Sequence, residues 1–403
     1  MNSSNDRTDI SSVEAKVLET YKKENPSQYF IDKSEENLLE WEERREHLFR
    51  HLLNFPPKMF AGSDLLEFGS GTGEKSVYYA LWGARCTLLD MNDFAIEETR
   101  AIFDKLAPHT EGHQFIESSL FDFESEKTFD IVLSNGVIHH TAAKEYAFQL
   151  LVSFLKPGGY AVLGIGNSTG AFQRMLKRML IYCFADSDEE IIEVAEKLFC
   201  EHIDRAEKYG NRTRRAIVFD NFVNPKHDNI SVPEVLELFR EAGLEFYSSW
   251  PPVMPPILGD SHHRSTFNLL DFPEAGALSE AAWLVHGADD REEIPESLDS
   301  LRIFHNKMDM IVSYMNDFSK ETRFNHEEFG GLIDNYAKAV HEINPILNLT
   351  NKLKEFLQEV RDTINVSKSG DLDKLCRHVA STRLLFRGTA GLGMNYFIGY
   401  RPK

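Results

Sequence analysis

The chain has 403 residues, 42% of them hydrophobic, and carries 44 Lys and Arg against 64 Asp and Glu, for a formal net charge of −20. That is enough apolar material for a sizeable core, and the length implies two or three domains or one domain with large insertions. The acidic balance repels phosphate backbones and argues against nucleic acid as a partner, unless a local basic channel overrules the average. Cys86, Cys183, Cys200 and Cys376 lie far apart with no CxxC pair, which fits reduced thiols and neither a zinc site nor a disulfide framework. The polar start MNSSNDRTDI has no apolar signal region, and no apolar run reaches about 18 residues. The expectation is a cytoplasmic protein without a membrane span.

Residues 1–12 read as a disordered tail, and 13–62 as an N-terminal helical segment around ENLLEWEERREHLFRHLL. Within it, Tyr21, Tyr29 and Phe30 stand before the first strand, either to close over a ligand or to anchor the core. From 64 to 166 short apolar runs alternate with helical stretches. The predicted strands are DLLEF (64–68), CTLLD (86–90), HQFIE (113–117), FDIVLS (129–134) and GYAVLGIG (159–166), with helices near 75–82, 94–107 and 143–155. This rhythm implies an α/β fold, a doubly wound and mostly parallel sheet with helices on both faces.

A helical insertion over 168–210 interrupts the rhythm. Ser231 and Pro233 then open a helix that Gly243 stops, and the strand LEFYSSW (244–250) follows. The sheet-forming core thus spans 63–256. Residues 257–390 read as mostly helical. NYFIGYRP (395–402) alternates like a strand, with Tyr396, Ile398 and Tyr400 on one face and Phe397, Gly399 and Arg401 on the other. Residues 391–403 are therefore expected to return to the sheet as a final edge strand beside 244–250. The helices of 257–390 would then be a cap inserted between two strands; a separate C-terminal helical domain is the alternative.

The strongest chemical signal is Leu65-Leu66-Glu67-Phe68-Gly69-Ser70-Gly71-Thr72-Gly73, a strand running into three alternate glycines before a helix. Glycine is needed where the backbone turns sharply and a ligand approaches closely. A dinucleotide fingerprint would want glycine at 74, where Glu74 would repel a pyrophosphate. Glu67 at the strand end suits a cationic ligand instead. Asp90 ends the second strand, where a carboxylate can take both hydroxyls of a ribose.

Across residues 64–166 the chain resembles the class I, Rossmann-like S-adenosylmethionine-dependent methyltransferase family. LLEFGSGTGEKS resembles its first motif and CTLLD its second. FIESSLFDF resembles the third-strand motif, FDIVLSNGVIHHT the fourth, and LKPGGYAVLG the loop and fifth strand. The resemblance implies S-adenosyl-L-methionine as cofactor. Glu67, Gly69, Ser70, Gly71 and Gly73 would then hold its amino-acid part, with Asp90 on the ribose and Met91 beside the adenine. Ser119, Leu120 and Asn135 complete the implied set. The family usually has an acid near Ser119 for the adenine amine; here Ser119, Leu120 or Asp122 would have to replace it.

Asn135 through His140 follow the fourth strand, where open α/β sheets bind ligands. His140 and His139 are candidate bases, and two adjacent His at a strand end are expected to point apart, so that one at most faces a pocket. His227, in the polar segment FDNFVNPKHDNIS (219–231), is another. His262 and His263 form a further cluster without recognisable metal spacing, so no metal is expected. In GAFQRMLKRMLIYCF (170–184) Arg174, Lys177 and Arg178 share a broad face opposite the apolar residues. That face would lie in solvent, contact an anionic substrate group, or touch a membrane surface peripherally. The function expected is methyl transfer to an oxygen or nitrogen of a small or medium-sized acceptor. The alternatives are a tRNA or rRNA methyltransferase and a non-catalytic donor-binding scaffold. The oligomeric state is not readable.

Overall fold

A computed structural model describes residues 4–23, 34–107, 112–210, 212–224, 226, 228–253, 269–271, 273–283, 302–303, 305–314, 326–343, 349–387 and 394–403. Seven strands form one sheet: β1 Asp64–Phe68, β2 Arg85–Asp90, β3 Gln114–Glu117, β4 Phe129–Asn135, β5 Leu155–Gly166, β6 Glu245–Trp250 and β7 Met394–Tyr400. Their order is β3-β2-β1-β4-β5-β7-β6. The first five pair in parallel, and β7 runs antiparallel to both of its neighbours. The predicted α/β sheet is present with all seven of its strands.

Alternate residues of each strand face opposite sides of the sheet. Leu66, Phe68, Val132 and Phe397 join Phe148 of α5 (Lys144–Ser153) and Phe239 of α9 (Val232–Glu241) in one core. Leu65, Ile131, Val162 and Ile398 join Tyr79 of α3 (Val77–Leu81) and Phe103 of α4 (Asp93–Leu106) in the other. Phe49, Phe55 and Phe60 close that second core edge to face, with ring centroids 5.4 Å apart in the Phe49–Phe60 and Phe55–Phe60 pairs. Helix α9 begins as its sequence predicts. The Ser231 hydroxyl accepts from Glu234 N–H while the Glu234 carboxylate accepts from Ser231 N–H at 2.8 Å, and Gly243 follows the helix at φ +67°.

Four expectations need correction. Residues 4–12 are not a loose tail but the first half of α1 (Ser4–Lys23). Ile10 and Val17 lie two turns apart on one face and are both buried, and the polar run between them masks that period. The helical insertion ends near 229, not 210. It holds α6 (Phe172–Tyr182), α7 (Asp188–Gly210), α8 (Arg214–Val218) and a π-helical turn, Phe219–Val223. The chain leaves the sheet at Gly166 and returns at Ile230, whose N–H donates to Gly166 O at 2.9 Å. The polar composition of 219–231 hid two fully buried anchors, Phe219 and Phe222.

The core also does not stop at 256. In α10 (Gly276–Trp283) the buried Glu280 carboxylate accepts from Asn167 Nδ2 at 2.7 Å and from Val232 N–H at 2.9 Å. The chain divides into one compact unit of Met1–Trp283 with Ala390–Lys403 and another of Leu284–Thr389. The second unit is helical over His326–Ile343, Leu349–Ser367 and Leu372–Ser381. It is inserted in the chain between β6 and β7, so it is not a C-terminal appendage. Finally, β7 is not an edge strand. It fills the gap between β5 and β6, and Phe397 and Ile398 are both buried, one on each face. Among the described residues no helix is long and apolar enough to cross a membrane.

Because β7 is interior, Phe397→Ala should cost about 3–5 kcal/mol of stability, the range for emptying a buried aromatic site. Truncation after 390 should abolish cooperative unfolding. Replacing 284–389 with a short linker should preserve it. Urea denaturation followed by fluorescence separates these outcomes; a truncated chain with a sharp transition would show that β7 is dispensable.

Candidate active site

The glycine loop is shaped first by protein packing. Gly69, Gly71 and Gly73 take φ of +74°, +57° and +78°, the left-handed region that side chains disfavour. A Cβ on Gly69 would stand 2.2 Å from Val137 Cγ2, and one on Gly73 would stand 2.9 Å from the Thr99 Cα. Gly69 and Ser70 N–H groups donate to Leu89 O at 2.7 and 3.0 Å, holding the loop to the end of β2. Asp90 completes the joint: its Oδ2 accepts from Gly71 N–H and its Oδ1 from Asn92 N–H, both at 2.9 Å. Burial raises the Asp90 pKa, and these backbone donors oppose the rise.

Beside the loop, burial pushes Glu67 up to about 7, against the lowering pull of the Ser76 hydroxyl and of Arg45. Arg45 comes from α2 (Glu35–His47) and is itself buried. It donates to the Tyr79 hydroxyl and stands over the Phe49 and Tyr79 rings, 4.9 and 5.3 Å from their centroids.

These groups open into a cleft of about 320 Å³ at the carboxyl ends of the parallel strands. Of the predicted donor set, Glu67, Gly69, Ser70, Gly71, Asp90, Met91, Leu120 and Asn135 line it. Gly73 and Ser119 do not. Gly73 turns toward Thr99 of α4, and the Ser119 hydroxyl donates at 2.5 Å to Glu14 of α1. Glu14 does line the cleft, at the end that holds Met91, Ser118 and Leu120. A carboxylate thus stands near the position where the third-strand motif lacks one, supplied from a helix about a hundred residues away. Asp122 is not among the lining residues and acts on Glu14 through its charge, helping burial to raise the Glu14 pKa.

Ser70 Oγ, Asn92 Oδ1 and Asn135 Oδ1 are buried in this wall without a hydrogen-bond partner among the described residues. Buried polar groups are ordinarily paired, so this set fits a ligand that brings both donors and acceptors. Tyr21 also lines the cleft, whereas Tyr29 and Phe30 lie outside the described residues.

The two histidines after β4 do not point apart. They sit in a 3-10 turn, Ile138–His140, with ring centroids 4.1 Å apart, and both border the cleft. A strand would have alternated them; the tight turn brings them together. His140 Nδ1 lies 2.5 Å from the Lys226 carbonyl, which only accepts, so Nδ1 carries the proton. Burial lowers the His140 pKa, which keeps the ring neutral and Nε2 an acceptor. His139 is used differently: Gly166 N–H donates to its Nδ1 at 3.3 Å, which ties the turn to β5. His227, His262 and His263 lie outside the described residues.

Helix α6 also corrects its sequence reading. Its basic residues do not form an outward face. Lys177 is 4% exposed and Arg174 lines the cleft, while Met179 is 64% exposed. The face expected to meet solvent, an anionic substrate group or a membrane surface therefore points partly inward, with Arg174 at the cleft. Asp220, in the polar segment 219–231 singled out from the sequence, lines the cleft, whereas sequence reasoning missed Met394 and Tyr396 of β7 as lining residues. No local motif marks them, because only the return of β7 carries them to the cleft.

Residues 41–245, just over half of the chain, match a family described as methyltransferase domain. The chain belongs to that methyltransferase family. It is 29% identical over 154 residues to the mitochondrial ubiquinone biosynthesis O-methyltransferase of Schizosaccharomyces pombe, a match covering 38% of this chain and 53% of that protein. The chain thus spans about half the length of this curated relative. Among solved structures it is similar to PKMT2 from Rickettsia typhi in complex with AdoHcy, at 15% identity, 59% and 49% coverage of the two chains and a TM-score of 0.38. It is also similar to the N-methyltransferase NodS from Bradyrhizobium japonicum WM9, at 18% identity, 38% and 76% coverage and a TM-score of 0.30.

The packing of Gly69 makes a clean test. Gly69→Ala should lose about 1–3 kcal/mol through overpacking against Val137. Adding Val137→Ala should restore part of that loss. Chemical denaturation of the two variants measures it, and equal stability of Gly69→Ala and the parent would mean that the close approach is absent.

Proposed function

We propose that the protein transfers a methyl group from S-adenosylmethionine to an oxygen or nitrogen of a small organic acceptor. The carrying observation is the cleft itself: the glycine loop, Asp90 and three unpaired buried polar atoms face one space that His140 also borders. The curated relative is by its name an O-methyltransferase of ubiquinone biosynthesis, which agrees with a small acceptor.

In this reading Asp90 takes the ribose hydroxyls. Gly71 and Asn92 N–H each take one of its roughly four lone-pair sites and Met91 N–H also acts on it, which leaves capacity for at least one more donor. Glu67, Ser70 and Asn135 meet the amino-acid part, Met91 and Leu120 flank the adenine, and Glu14 accepts from its amine. Bound S-adenosylmethionine supplies an electrophilic methyl group on a sulfonium. The chain's main contribution is alignment, because holding two reactants in line removes much of the entropic barrier. His140 Nε2 would take the proton from an acceptor hydroxyl, with Lys226 O holding the ring in the required tautomer.

Three measurements test this. Asp90→Ala should weaken S-adenosylhomocysteine binding by about 1–3 kcal/mol, the range for hydrogen bonds to a charged group. His140→Ala should leave that affinity unchanged and lower turnover by about 100-fold once an acceptor is in hand. Glu67 gives a pH signature. Its pKa of about 7 in the free protein means that it is mostly protonated at pH 6. A ligand ammonium beside it favours the carboxylate, so binding should release a proton and tighten as pH rises from about 6 to 7.5. Calorimetry in two buffers of different ionisation enthalpy reads the proton directly. Unchanged donor affinity in Asp90→Ala, with no proton released in the parent, would remove the assignment.

A further inference from the structure

The acceptor end of the cleft contains a cation that the methyl-transfer chemistry does not use. Arg174 lies in the first turn of α6, and that turn is fastened to the end of β5: Gly170 N–H donates to Asn167 Oδ1 at 2.6 Å and Ala171 N–H to Asn167 O at 2.8 Å. Asn167 is fully buried and held in turn by Glu280. Arg174 is thus mounted on a rigid element beside His139 and His140, in the wall of the same cleft.

Its own bonding is incomplete. One Nη donates to Asn229 Oδ1 at 3.2 Å, and Nε is buried with no partner among the described residues. The nearest carboxylate that acts on it, Asp220, is engaged by Arg212 Nη1 at 3.1 Å. No carboxylate among the described residues forms an ion pair with Arg174. Burial lowers its pKa, and the charge of Asp220 only partly opposes this. Behind it, Lys177 is buried, which lowers its pKa to about 7, and burial together with Lys177, Arg205 and Arg174 disfavours protonation of His202. In a chain of net charge −20, Arg174 with Arg205 and the partly charged Lys177 behind it gathers positive charge at this end of the cleft, where a small anion is favoured.

We propose that Arg174 is the recognition group for a carboxylate on the acceptor, so that the substrates are small organic carboxylates methylated at a second, separate position. This rests on the methyltransferase reading of the cleft. A planar guanidinium that gives Nη2 to Asn229 and keeps Nη1 without a hydrogen bond among the described residues can still meet a carboxylate with two parallel hydrogen bonds. With Asp220 close by, the wall balances one negative charge better than the two of a phosphate monoester. A carboxylate held this way has its lone pairs occupied and its nucleophilicity reduced, so it is a handle and not the methylated oxygen. Arg174 is therefore a specificity-determining residue, while His140 Nε2 serves the reacting atom.

The test uses the full chain and simple probes. S-adenosylhomocysteine affinity is measured first, by calorimetry, on the parent, Arg174→Gln and Arg174→Lys. The saturated proteins are then titrated with acetate, benzoate and 3-phenylpropionate, each against its neutral amide. At least one carboxylate should bind the parent about 10-fold or more tighter than its amide. Arg174→Gln should erase that preference with S-adenosylhomocysteine affinity unchanged, and Arg174→Lys, which keeps the charge but not the fork, should retain only part of it. If Arg174→Gln does not fold, Arg174→Lys alone decides, by a several-fold loss of the preference. The proposal is overturned if no carboxylate outbinds its amide, or if both variants keep the parent's preference. Failure of S-adenosylhomocysteine to bind the parent overturns the methyltransferase reading instead. The carboxylate and amide titrations, run without it, then still decide the role of Arg174.

Discussion

The packing of Gly69 on Val137 and of Gly73 on Thr99 is the constraint on which the site depends. Both contacts are closer than any side chain allows, and both need left-handed backbone. Together they press the loop after β1 between the turn after β4 and helix α4. The loop then has one place to be, with Gly71 N–H directed at Asp90 and Ser70 in the wall of the cleft. The ends of three strands are locked to each other by this joint. A ligand entering there meets polar atoms that need no rearrangement, and the entropy of positioning them is already spent in folding.

A second joint holds the acceptor side. Asn167 accepts from the first turn of α6, donates to Ile230 O at 3.3 Å, and donates to Glu280. One buried amide thereby ties the insertion to the sheet, to the segment that returns from it and to α10. Buried side-chain networks of this kind are costly when incomplete and specific when satisfied. This one is satisfied, and it fixes where Arg174 stands. The glycine joint governs the donor half of the cleft, and the Asn167 joint governs the other half.

Charge follows the same division. The half beside the glycine loop is lined by Glu14, Glu67, Glu74 and Asp90 against Lys75, an acidic balance. The other half holds Arg174 with Asp220 and the paired rings of His139 and His140. Burial acts on the two halves in opposite directions, raising the pKa values of Glu67 and Asp90 and lowering that of Arg174, so a ligand of opposite charge is favoured in each. The net charge of −20 says nothing of this arrangement, because it averages over a surface that the cleft does not share.

The sequence by itself determined the sheet. Apolar runs of four to eight residues bounded by turns are local features, and all seven strands lie where those runs place them. It also determined the glycine loop, Asp90 and the start of α9, because backbone conformation and capping are decided within a few residues. What only the tertiary structure decided are the contacts between distant segments. Ile10 looked like part of a polar tail until a surface was present to bury it beside Val17. Glu14 reaches the cleft from α1, Arg174 from an insertion, and Tyr396 from a strand that returns after the helical unit of Leu284–Thr389. The pairing of His139 and His140 depended on a 3-10 turn that no periodicity announces. In each case the chemistry was visible in the side chain and its placement was not. Loop closure over tens or hundreds of residues is set by the summed packing of both ends, and no local pattern records that sum.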